Sequence, residues 1–286
     1  MKHLHYLYLF LILAMALSGC ISSGSTVKPR STQTLPPSPT SIPPTYTLML
    51  YPTQTATLTP PATLEPVQAK DSLQSLLQEP DCLAPCFWGV IPGKTTLGEA
   101  KNIFTHLGLG LEHTNTRDNK DFYGVIYDFD NGLSVTPVLT IQNELVKSLR
   151  VDINPEKRQA GVPREWLAYS PETLINHYGR PSRVDFFVGR GAPSVSYAMV
   201  LYFESADLIV EYGGYDVTFE KTSFRVCPLI DQQDNVSIWL GENPENPPGD
   251  AMPLEDASSI TLEEFSKLMT GNSDEVCIYL KEEIFP

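Results

Sequence analysis

The sequence predicts an α+β protein made of two ααβββ-type units with antiparallel meander sheets, followed by a small C-terminal subdomain. Three observations carry that prediction. Helix start signals followed by apolar residues at helical spacing occur at Thr96 and again at Ser170. Behind each lies a series of runs in which apolar and polar residues alternate, as strands require. The stretch 227–286 then departs from that plan.

The chain opens with Lys2 and an apolar run from Leu7 to Leu17, ending in Leu17-Ser18-Gly19-Cys20. A membrane-spanning helix needs about 20 apolar residues. This run is shorter and gives way to polar Ser22 and Ser23. A positive start, a short apolar segment and small residues before a cut site make an export signal, here residues 1–19. Residues 20–70 are dominated by Pro, Thr and Ser, as in Leu35-Pro36-Pro37-Ser38-Pro39. Such a segment buries too little apolar surface to offset the entropy of ordering it. It is expected to be a disordered tether. In polyproline II form its reach is on the order of 100 Å.

The first unit is expected at 71–154. Leu73–Leu77 reads as a short helix. Thr96 and Glu99 form a capping box ahead of Leu97, Ala100, Ile103, Phe104 and Leu107, and Gly108 stops the helix. Tyr123 to Phe129 alternate, and Asn131-Gly132 turns the chain. Leu133 to Ile141 form a second strand, whose Pro137 points to an edge strand or a bulge. Asn143-Glu144 turns into Leu145–Ile153.

The second unit is expected at 163–226. Trp166–Tyr169 is a short companion helix. Ser170-Pro171 is an N-cap with proline at the first helical position, and Gly179 and Pro181 end that helix. Strands are expected at Val184–Val188, Ser196–Phe203 and Leu208–Tyr212, with a further run at Val217–Val226. In 227–286, Ile238-Trp239-Leu240 reads as a strand, Thr261 and Glu264 as a second capping box, and Cys277-Ile278-Tyr279-Leu280 as a terminal strand.

Apart from Cys20, the cysteines are Cys82, Cys86, Cys227 and Cys277. An even number in an exported chain implies disulfides, with three pairings open. The pairing Cys82–Cys86 with Cys227–Cys277 is favoured, since the first closes a short proline-containing loop and the second staples the C-terminal segment to the body. A zinc site needs four ligands at suitable spacing, and His106, His113 and His177 show none. No metal and no cofactor is expected.

The formal net charge of −14 excludes a basic footprint for nucleic acid. Gly93-Lys94-Thr95 lacks the glycine a phosphate-binding loop places five residues earlier, since position 88 is Trp. Asp128 and Asp130 lack the later ligands of a calcium loop, whose twelfth position is Leu139 here. No Gly-x-Ser-x-Gly elbow occurs. No catalytic residues are therefore expected, although a glycosidase carboxylate pair stays open as an alternative. Binding candidates are the aromatic residues Phe87, Trp88, Phe186, Phe187, Tyr212 and Tyr215, because exposed rings anchor protein or sugar contacts.

The four residues ending in Cys20 match the lipobox of bacterial lipoproteins. That resemblance implies that Cys20 is lipidated and attached to a membrane surface, the outer face of the cell membrane or the outer membrane. The helix–helix–meander plan, with Gly179-Arg180-Pro181 after the second helix, resembles the β-lactamase-inhibitor-like fold and the ααβββ unit of small outer-membrane assembly lipoproteins. The segment Cys82-Leu-Ala-Pro-Cys86-Phe-Trp-Gly89 with Pro92-Gly93-Lys94-Thr95-Thr96 resembles a signature found in bacterial lipoproteins, one with no activity attached to it. The expected partners are the membrane, through the lipid, and an unidentified protein or envelope polymer. The expected role is non-catalytic binding on the cell envelope, with an envelope glycan hydrolase or a structural envelope component as alternatives.

Overall fold

The computed structural model describes residues 62–78, 82, 84–130, 132–155, 167–191, 194–215, 217–228, 234–241, 251–271 and 276–285. The export signal, Cys20 and the tether up to residue 61 lie outside the described residues. All described residues belong to one compact unit, Thr57–Pro286. It is a mixed α+β structure whose strand pairs are antiparallel.

Helix α1 (Pro66–Gln78) starts with proline at its first position, where the missing N–H costs nothing. Ala69, Leu73 and Leu77 recur every four residues and are buried. The helix therefore reaches further back than Leu73, and the last residues assigned to the tether are helical. Helix α2 (Leu97–His106) carries the expected capping box between Thr96 and Glu99, and buries Leu97, Ala100 and Phe104.

Strand β1 (Glu112–Arg117) was not expected. Each of its residues is exposed, so it leaves no apolar alternation to read. It pairs with β2 (Lys120–Gly124) through Asp118-Asn119, both at positive φ (52° and 58°), the backbone that a two-residue hairpin of matching twist demands. The run expected from Tyr123 to Phe129 is split into β2 and β3 (Tyr127–Asp128), both paired with β4 (Leu133–Gln142). Extending the β2 register places the gap, Val125 and Ile126, against Pro137 and Thr136. Pro137 has no N–H to give to a neighbour there. This corrects the edge-strand expectation: β4 has neighbours on both sides, and its proline interrupts the adjacent strand instead. Asn143-Glu144, at φ 53° and 61°, makes the two-residue turn into β5 (Leu145–Pro155).

The 3-10 turn Leu167–Tyr169 precedes helix α3 (Pro171–Tyr178), which has Ser170 as N-cap and Gly179 at φ 81° as its stop. Then come β6 (Arg183–Gly191), β7 (Ser194–Phe203) and β8 (Leu208–Gly214). The run 217–226 is a hairpin of two strands, β9 (Val217–Glu220) and β10 (Ser223–Val226). After them lie β11 (Asn235–Gly241), β12 (Met252–Pro253), α4 (Leu254–Ala257), α5 (Leu262–Thr270, with the Thr261/Glu264 capping box) and β13 (Ile278–Lys281).

Ten strands form one sheet in the order β1-β2-β4-β5-β11-β8-β7-β6-β12, with β3 alongside β4. The position of β11 is the main correction to the expected organisation. It does not lie in an appended subdomain with the rest of 227–286 but fills the middle of the sheet, between β5 and β8. Its run Val236-Ser-Ile-Trp-Leu240 is buried at each position, Ser237 and Trp239 lying against the Asp152 and Arg150 side chains of β5. A second sheet, β13-β10-β9, is closed by Cys227–Cys277, one register step beyond the pair Val226↔Ile278. Cys82–Cys86 closes the loop after α1.

One face of the large sheet meets the helices. Leu139, Leu149, Leu240 and Leu208 lie in register across four strands and share one core with Phe104 of α2, Leu174 of α3 and Phe265 of α5.

Candidate binding face and pocket

The opposite face of the ten-stranded sheet is organised by register into two ranks. The first runs Val138, Arg150, Trp239, Ile209, Tyr202, Arg183 across β4, β5, β11, β8, β7 and β6. The second, two residues along each strand, runs Thr136, Asp152, Ser237, Glu211, Val200, Asp185. Strand periodicity of two places both ranks on the same side.

The first rank is built from cations over rings. The Arg150 guanidinium lies 5.5 Å from the Trp239 ring centroid, and that of Arg183 lies 4.0 Å from Tyr202. The second rank supplies carboxylates to those cations. Arg150 Nε donates to Asp152 Oδ1 at 2.9 Å, and Ser237 Oγ donates to the same oxygen at 2.6 Å. Arg183 Nη2 stands 2.6 Å from Asp185 Oδ2. The two arginine side chains keep 46% and 55% of their exposure while Asp185 is buried, so each cation is the solvent-facing half of its pair. Asp185 Oδ1 and Trp239 Nε1 are buried and have no hydrogen-bond partner among the described residues.

Electrostatics follow from burial. The Glu211 carboxyl is pushed above its usual range by desolvation, with Arg150 opposing and Asp152 adding to the shift. Burial, with Asp185 nearby, pushes the Tyr202 phenol up to about 12, so it is a neutral donor at ordinary pH.

A cavity of about 330 Å³ lies on the helix-covered side of the same strands. Its apolar wall includes Phe87, Leu174, Leu208, Ile238 and Leu240. Its rim carries the Cys82–Cys86 disulfide together with Thr173, His177 and Tyr178. The disulfide loop is held down by Ala84 N–H donating to Tyr178 Oη at 2.8 Å. Tyr212 Oη, buried, donates to the carbonyl of Tyr169 at 2.6 Å and anchors the turn that leads into α3.

The six aromatic binding candidates do not come together. Phe87, Trp88, Phe186 and Tyr212 are core residues, exposed by 2% or less, which corrects the expectation that these rings face solvent; of the four, Phe87 lines the cavity. The physical cause is strand phase: Phe186 shares a side with Val184 and Val188, and Tyr212 with Leu208 and Val210. Phe87 and Trp88 are turned inward by a tight loop in which Phe87 and Val90 exchange backbone hydrogen bonds. Their rings stack 4.8 Å apart, with Phe104 and Tyr169 beyond. Phe187 is half-buried on the ranked face, and Tyr215 is exposed just past the end of β8. The residues that build the ranked face, Arg150, Trp239, Arg183, Tyr202, Asp152 and Glu211, were not singled out from the sequence. Their signal was the polar half of each alternating strand.

Among the described residues no group of three or more His, Cys, Asp or Glu is placed to hold a metal ion. Nor is any helix among them long and apolar enough to cross a membrane. No family model, no curated protein and no solved structure matches the chain.

Proposed function

We propose that this chain is an exported lipoprotein, lipidated at Cys20, that holds a non-catalytic binding domain at the cell envelope and engages its partner through the ranked face of the large sheet. The observation that carries the reading is the pairing of an arginine–aromatic rank with a carboxylate rank on that face. Arginine and aromatic residues concentrate binding energy at protein interfaces, and charges arranged in ranks give a partner one favoured register. The two disulfides are compatible with an extracytoplasmic location. The strand order supports two related units, since the meanders β2-β4-β5 and β8-β7-β6 flank β11 from either side.

A photo-crosslinking residue placed at Ile209, in the middle of the first rank, tests the reading. It is expected to trap one envelope partner. The trap is expected to be lost when Arg150→Ala and Arg183→Ala are combined. Trapping only from a control position such as Ser205 sinks the proposal. The anchor has its own test, since Cys20→Ala is expected to move the protein from the membrane to the soluble fraction.

A second reading, an envelope glycan hydrolase, draws on one observation. Glu211, with its raised pKa, and Asp152 share a rank two strands apart, about 9.6 Å at ordinary strand spacing. That separation is near the upper end for an inverting pair of about 6.5–9.5 Å. Release of soluble sugar from cell-wall glycan by the wild-type chain, lost in Glu211→Gln, would favour it over binding.

A further inference from the structure

The cavity beneath the disulfide loop is a site distinct from the ranked face. The two share β11 but use opposite sides of it: Ile238 and Leu240 line the cavity, while Trp239 stands in the outer rank. We propose that the cavity binds a small, uncharged, largely apolar molecule carrying one hydrogen-bonding group, such as an alcohol, a phenol or a ketone.

Four observations carry this. The volume, about 330 Å³, falls at the small end of ligand pockets, which run from about 300 to 1,000 Å³. The wall is apolar and comes from four separate pieces of chain: the disulfide loop, the turn and helix from Ala168 to Tyr178, β8 and β11. It is held open by fixed partners, since the Ala84–Tyr178 bond pins the loop and the buried Tyr212–Tyr169 bond pins the turn before α3. The polar groups converge on the rim. Thr173 and His177 are four residues apart on α3 and so stand one turn above the other on one side of the helix. Ser170 Oγ donates to Thr173 Oγ1 at 2.8 Å, which leaves the Thr173 hydroxyl proton to donate elsewhere.

The choice of an uncharged ligand follows from what the wall contains. Among the described residues that line the cavity, none is Asp, Glu, Lys or Arg. An ionised head drawn among these apolar groups would lose its water. The net charge of −14 adds a general penalty for anions. A hydroxyl or carbonyl, by contrast, finds the Thr173 hydroxyl and the His177 imidazole at hydrogen-bonding positions and leaves its body among Leu174, Leu208 and Leu240.

The test is a charge series on one body, titrated calorimetrically into the full chain: 4-phenylbutan-1-ol, 4-phenylbutanoate and 4-phenylbutylammonium. The alcohol is expected to bind at least about tenfold more tightly than either ion, the difference one uncompensated charge makes in an apolar site. His177→Leu is expected to weaken the alcohol severalfold, because the residue is exposed and its loss leaves the fold alone. Ala168→Phe, which projects a ring into the cavity, is expected to abolish binding. As a check that does not depend on that variant folding, intermolecular nuclear Overhauser effects from the alcohol should reach the methyl groups of Leu174 and Leu240. No heat with the alcohol, equal or tighter binding of an ion, or contacts to other methyl groups would each overturn the proposal.

Discussion

The two faces of β11 obey different physics. Val236, Ile238 and Leu240 look toward the helices and join a core of leucine, isoleucine, valine and phenylalanine. Ser237 and Trp239 look the other way and join ranks of arginine, tyrosine and carboxylate. On the first face the requirement is volume: apolar groups of about the right size, closely packed. On the second each group depends on particular partners, as Arg150 on Asp152 and Trp239, or Arg183 on Asp185 and Tyr202. The difference teaches where stability and specificity are held. The helix side gives the sheet its stability, and the ranked side gives it a pattern that only some partners match.

The largest expected effect tests the volume side. Leu139→Ala removes a fully buried side chain and should destabilise the fold by about 3 kcal/mol, within the range of core leucine truncations. Its neighbour Val138 sits on the ranked face and is half-buried, so Val138→Ala should cost under about 1 kcal/mol. Equal costs in urea unfolding would erase the contrast between the faces.

Next comes Arg183→Ala. It leaves Asp185 buried, with Oδ1 unpartnered among the described residues and only the Tyr202 phenol left beside the carboxylate. An uncompensated buried carboxylate is costly, and the expected loss is about 2 kcal/mol, lower than for a fully buried pair because Arg183 is half-exposed. Adding Asp185→Asn to the same chain should restore most of that stability, since the charge is gone. If the double variant is no better than the single one, the pair is not what holds Asp185 in place.

Much of this architecture could be read from local signals, and the rest could not for definable reasons. Thr96 with Glu99, Ser170 with Pro171, and Thr261 with Glu264 mark helix starts by side-chain chemistry that acts within one turn, and all three cap as expected. Asn143-Glu144 fixed a two-residue turn for the same reason. The place of β11 was not legible, because its partners Leu149 and Leu208 lie far away in sequence and nothing local distinguishes a central strand of this sheet from a strand of a separate subdomain. Strand β1 was not legible because its residues are all exposed. The core aromatic residues were half legible. Phe186 alternates in phase with Val184 and Val188, and Tyr212 with Leu208 and Val210, which already argues for burial; adjacent rings at Phe186-Phe187 obscured it.

A gentler change separates ring from hydrogen bond on the ranked face. Trp239→Phe keeps a ring beneath Arg150 and deletes an indole N–H that has no partner among the described residues. No hydrogen bond is lost, so stability should change by less than about 1 kcal/mol. A loss of several kcal/mol on thermal unfolding would mean that the indole packs as tightly as a core residue and that the two faces differ less than the ranks imply.

The smallest effect tests the electrostatics of the second rank. Glu211 is mostly buried, and desolvation raises its carboxyl above the usual range despite Arg150. The folded state therefore holds this proton more tightly than the unfolded chain does. Between the raised folded value and the ordinary one the native state binds more protons, so this residue's contribution to stability increases as pH falls through that window. Below the ordinary value both states are protonated and the contribution is constant; above the folded value the burial penalty is fully present. Glu211→Gln removes the penalty. At pH 7 the variant should be slightly more stable than wild type. The advantage should shrink as pH is lowered toward 4. Denaturant titrations at the two pH values decide the matter. A variant less stable at pH 7 would mean that attraction to Arg150 outweighs burial, and the rank would then be a set of ion pairs rather than a desolvated acid beside a paired one.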